Sequence, residues 1–73
     1  MTQLEIKAMS PKVLAKVVEL AAANPLGHAL RAHVACELGM TFTNALDVIH
    51  YLRSQGDVKV GATINDYWVK PNT

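Results

Sequence analysis

Val34-Ala35-Cys36-Glu37-Leu38-Gly39-Met40-Thr41-Phe42-Thr43-Asn44-Ala45-Leu46-Asp47-Val48-Ile49 is the stretch on which the fold turns. Leu30, Val34 and Leu38 recur every four residues, as one face of a helix requires, and place a helix over about His28–Leu38. Gly39 follows at once, where a left-handed residue closes a helix and glycine adopts that shape without a Cβ penalty. Thr41 or Thr43 then offers a hydroxyl to the free N–H groups of a further helix, which carries Ala45, Val48, Ile49 and Leu52 inward and stops at Gly56. Ala35 is small at the point where two helices joined by so short a turn must cross closely.

Working outward from this unit, Ser10-Pro11 reads as the start of an earlier helix. Serine can accept from a free N–H, and proline at the first position gives up a donor that had no partner. Val13, Leu14, Val17, Val18 and Ala21 form its apolar stripe, with Lys12, Lys16 and Glu19 opposite, and Asn24-Pro25 ends it. Residues 2–9 alternate polar and apolar over a few positions, which predicts a short strand or a loose arm. On the other side, Val58-Lys59-Val60 and Tyr67-Trp68-Val69 are rich in strand formers, and the 61–66 turn between them makes a hairpin. The fold class is therefore mainly α with a C-terminal β-hairpin: an arm over 1–9, one domain over 10–70 and a tail over 71–73.

Seventy-three residues make one domain, which buries only about 60% of its extended surface and so gains from a partner or a dimer. Apolar residues are 51% and charged residues 18% of the chain, too hydrophobic for a disordered tail. Lys12, Lys16 and Glu19 interrupt the best apolar run, so no membrane span is expected. Met1 to Lys7 lacks the pattern of a secretory signal, and the single Cys36 has no internal disulfide partner, which together point to the cytoplasm. Seven basic against six acidic residues give a net charge of +1, which does not announce a polyanionic partner.

The 34–49 stretch resembles the helix-turn-helix signature of bacterial and phage regulators. Ala35 stands at the small position, Gly39 at the turn, Thr41 at the cap, and Val34, Leu38, Ala45 and Val48 at the apolar positions that close the helices together. With Gly56–Val60 and Asp66–Val69 as a wing, residues 10–70 are similar in size and order to small winged helix regulators. The resemblance implies a sequence-specific transcriptional regulator whose third helix enters the major groove of double-stranded DNA, with no catalysis and no cofactor. It puts Thr41, Thr43, Asn44, Asp47 and His50 on the reading helix, and Lys59 with the 61–66 turn on the wing. Asn44 can pair with adenine through two bonds, and Thr43 can serve either base type. Lys12, Lys16, Arg31, Arg53, Lys59 and Lys70 are the cations that could touch the backbone.

The sequence departs from that pattern in its charges: between Arg31 and Arg53 there is no lysine or arginine, although phosphate neutralisation supplies most non-specific affinity. Phe42 and Leu46 fall on or beside the groove-facing side, where apolar residues at helical spacing suit a protein interface. The alternative function is therefore a winged helix protein-interaction module. A rotated third helix that buries Phe42, Leu46 and Ile49 in the core is equally open. A homodimer, or a heterodimer with another DNA-binding protein, is expected, through Leu4 to Met9 or through the Phe42 and Leu46 patch.

Other constellations carry less. His33 and Cys36 share a helix face, with His28 just before them and His50 further on, but the spacing fits no zinc module and Cys36 suits packing at the helix crossing. No serine or cysteine has histidine and carboxylate partners at helical spacing. Gly27, Gly39, Gly56 and Gly61 are isolated, so no phosphate-cradling loop exists. Trp68 is expected to cover the core rather than to stack a base.

Overall fold

The computed structural model describes residues 1–72. The first element, α1, runs Gln3–Ala23, so the expected arm or strand over 1–9 is instead helix. A capping box starts it. The Thr2 hydroxyl accepts from the Glu5 N–H at 3.2 Å while the Glu5 carboxylate accepts from the Thr2 N–H at 3.1 Å. Bonds donated to the carboxylate by the Thr2 backbone N–H and hydroxyl hold the Glu5 carboxyl below the usual carboxylate range. Ser10-Pro11 lies inside the helix rather than at its start. Pro11 cannot donate to the Lys7 carbonyl four residues back, and the Ser10 hydroxyl supplies that bond at 2.8 Å. Asn24 ends α1 as its extended C-cap, just before Pro25.

Ala29–Leu30 is a two-residue strand, β1, where the sequence suggests the first turn of a helix; α2 is correspondingly short, Arg31–Leu38. Gly39 closes α2 at φ 66°, and its N–H reaches the carbonyls of Ala35 and Cys36. Thr41, not Thr43, caps α3 (Phe42–Ser54), accepting from the Asn44 N–H at 3.1 Å. The hairpin follows as β2 (Val58–Ala62) and β3 (Tyr67–Pro71). All pairing is antiparallel in the order β1-β3-β2, with Ala29 opposite Val69 and Val60 opposite Val69 from the other side. Three helices and a three-stranded antiparallel sheet thus make a small α+β fold.

Helical and strand periods account for the core. Ile6, Val13, Val17 and Ala21 of α1 meet Val34 and Ala35 of α2, Ala45, Val48, Ile49 and Leu52 of α3, and Ala29, Val58 and Val69 of the sheet. Strand alternation puts Lys59, Gly61, Trp68 and Lys70 on the opposite, outer face. Trp68 therefore does not cover the core. It lies across Gly61, where a Cβ would collide with the indole, and stacks on His28 at 5.7 Å between ring centroids.

Candidate nucleic-acid interface

The turn between α2 and α3 has the features that close helix crossing demands. Ala35 is fully buried, Val34 and Val48 pack in the shared core, and Gly39 takes the left-handed shape. The face of α3 opposite its core residues carries Thr43, Asp47 and His50, flanked by Leu46 and Arg53. Thr43, His50 and Arg53 are exposed, and Leu46 is half-buried. Thr41 is exposed at the helix start with its hydroxyl engaged by the cap. Asn44 turns aside, into a hollow with Met1, Glu5, Met9 and Met40 near the start of α1. Asp47 faces the terminal ammonium of Met1 at 3.8 Å.

Phe42 is 52% exposed, so of the three residues that a rotated helix would bury, Ile49 alone is fully enclosed. The Phe42 ring is not bare. The Arg31 guanidinium sits between it, at 5.4 Å, and the Tyr67 ring, at 5.3 Å. The same guanidinium reaches Asp66 at 2.7 Å, with side-chain exposures of 17% and 12% for the two partners. Asp66 also accepts from the Ala32 N–H at 2.9 Å. Leu30 precedes α2 and has no side chain that can cap it, so the carboxylate that satisfies the start of α2 comes from the hairpin. The hairpin turn is itself drawn in, since the Asp66 N–H donates to the Thr63 hydroxyl at 2.8 Å and the Thr63 N–H to the Asp66 carbonyl at 2.7 Å. Ile64 stands at the tip, 99% exposed.

The expected phosphate-binding cations are thereby divided. Arg31 is committed to Asp66, Lys16 to Glu19 at 2.7 Å, and the Lys70 ammonium lies over Trp68 at 5.8 Å. The hydrogen bond from Lys16 to Glu19 holds the Lys16 ammonium above its ordinary pKa. Lys12, Arg53 and Lys59 are exposed without an ion pair among the described residues.

Asp66 is the residue that sequence reasoning missed. Its signal was indirect: a helix that begins at Arg31, after Leu30, has no local cap, so an acceptor had to come from elsewhere. Cys36 is exposed, not packed at the crossing, because its neighbour Ala35 occupies the inward position. Among the described residues no three of His, Cys, Asp and Glu come together as a metal site, and no helix is long and apolar enough to cross a membrane. No protein-family model matches the chain, and no curated protein matches it closely enough to identify a relative.

Proposed function

We propose that this chain is a winged helix-turn-helix domain that regulates transcription by reading duplex DNA with α3. The observation that carries the reading is a single assembly. A left-handed glycine turn joins α2 to α3, and Asp66 and Arg31 fasten the hairpin to the start of α2. That assembly leaves Thr43, His50 and Arg53 of α3 exposed beside an anchored hairpin, which suits insertion of the helix into the major groove with the wing along the backbone. Thr43 and His50 are the side chains best set to meet base edges, and Arg53 meets phosphate. Asn44 contributes less to base reading than its residue type suggests, because it faces α1.

Selection of duplexes from a random pool, followed by fluorescence anisotropy at several salt concentrations, tests this. His50→Ala and Thr43→Ala should each weaken the selected duplex by about 1–3 kcal/mol and leave non-specific duplex nearly unchanged. Arg53→Gln should weaken both and lower the salt slope by about 1. Failure to enrich any sequence would overturn the proposal. The exposed ring of Phe42 favours the second reading, a protein-interaction module. In that case Phe42→Ser would abolish partner capture, while His50→Ala would be silent.

A further inference from the structure

The long helix α1 has two apolar faces. One is the core face of Ile6, Val13, Val17 and Ala21. The other, directly opposite, is Leu4, Ala8, Pro11, Ala15, Val18 and Ala22, in alternating steps of four and three. Every one of these six is exposed, Leu4 by 79% and Val18 by 47%. Leu26, just past the helix end, is 76% exposed and lengthens the patch. A helix that is apolar on opposite sides is ordinarily covered on both, and the four-three spacing is that of a seam between paired helices. The small residues in this seam allow two backbones to approach closely.

We propose that α1 pairs antiparallel with α1 of a second copy of this chain through this outer face. The charges beside the seam select both the occupant and the direction. Glu5, Lys12 and Glu19 lie on one flank, seven residues apart, and Lys7 lies on the other, with Lys59 and Lys70 beside the Val18 and Ala22 end of the seam. In an antiparallel pair like flanks meet, so Lys12 of each copy faces Glu19 of the other, twice about the two-fold axis. A parallel pair would set Lys7 of one copy beside Lys12 of the other, like against like. Lys12 carries no ion pair among the described residues. Glu19 is 65% exposed, with one oxygen on Lys16 and no described ion pair on the other. The seam lies on the side of α1 away from the core, and its first turns run beside the α2–α3 turn, where Ala8 lines one hollow with Met40, Thr41 and Asn44.

This inference is independent of DNA reading, and its test contains no DNA. Sedimentation equilibrium of the whole chain from low to high micromolar concentration should show a monomer–dimer equilibrium. Ala15→Glu, at the centre of the seam, should weaken dimerisation at least about tenfold. Because Ala15 is exposed in the single chain, far-ultraviolet circular dichroism and the emission of the sole tryptophan should be unchanged in that variant. Lys12→Glu and Glu19→Lys should each weaken the dimer, and the two together should restore it. A wild type that stays monomeric at high micromolar concentration overturns the proposal. So does an Ala15→Glu chain that dimerises as wild type, or a dimer that Phe42→Ser dissociates in its place. A charge swap that fails to restore association overturns the antiparallel arrangement.

Discussion

Replacing Asp66 tests whether the hairpin and the start of α2 form one mechanical unit. Asp66→Ala removes an acceptor from the Ala32 N–H and the counter-ion of Arg31 together. Loss of a helix cap costs about 1 kcal/mol. The ion pair is harder to place: exposed pairs contribute about 0–1 kcal/mol, whereas stripping one partner from a fully buried pair costs about 3–5. Side-chain exposures of 17% and 12% lie nearer the buried limit, but Arg31 keeps the Phe42 and Tyr67 rings against its guanidinium. An intermediate cost of about 2 kcal/mol follows, for a total near 3. A chain this size holds roughly 4–11 kcal/mol of stability, so the loss is a large fraction of the whole. Asp66→Asn keeps an oxygen for Ala32 and loses only the charge, and should cost about half as much. Urea unfolding followed by Trp68 emission reads both. With a slope of about 1 kcal/mol per molar, the alanine midpoint should fall by roughly 3 M and the slope should hold. A loss under about 0.5 kcal/mol, or equal losses in the two variants, would refute the assignment of a joint cap and counter-ion.

The remaining expectations concern packing and backbone shape. Gly61→Ala should cost roughly 1–3 kcal/mol and shift the emission of Trp68, because a Cβ there meets the indole; unchanged melting and emission would refute the stacked placement. Ala35→Leu should cost a similar roughly 1–3 kcal/mol by prying α2 from α3, and a thermal melt matching wild type would show that the helices do not cross there. Gly39→Ala should lose about 1 kcal/mol from its left-handed backbone, with open space for the methyl leaving conformation as the main cost. Thr2→Ala should cost about 1 kcal/mol and fray the first turn of α1. Because hydrogen bonds from Thr2 lower the pKa of Glu5, the capping-box contribution is fully present above the ordinary carboxylate pKa. It is lost as the pH falls through the folded value, so the gap between wild type and Thr2→Ala should narrow in acid.

Local chemistry made much of this fold legible. Gly39, Thr41 and the inward set Ala45, Val48, Ile49 and Leu52 are all short-range signals, and the structure keeps them. The misreadings came where two local signals competed. Ser10-Pro11 has the composition of a helix start, but Thr2 and Glu5 form a complete box eight residues earlier, and the Ser10 hydroxyl repairs the bond that Pro11 removes. Ala29-Leu30 continues the four-residue spacing of α2, yet pairing with Val69 and Trp68 overrides it. The interface was less legible because side-chain commitments are long-range. Nothing near Arg31 in the chain announces Asp66, 35 residues away, and nothing near Asn44 announces the start of α1.

The division of cations links the two proposals made for this chain. A domain that grips phosphate needs several free cations on one side, because counter-ion release scales with the number of contacts. Here Arg31 stabilises the hairpin, Lys16 serves Glu19, and Lys70 sits on the outer sheet face over Trp68. Arg53 is left as the basic side chain carried by α3 itself. One copy reading DNA through α3 would rely on shape and base edges with little phosphate attraction, which is too little for stable binding at moderate salt. Two copies joined along α1 would double every contact, turning a weak half-site into a symmetric pair. The scarcity of charge on α3 and the excess of apolar surface on α1 are then complementary. On the proposed reading, α3 is poor in electrostatic grip, and α1 has the surface to bring in a second copy.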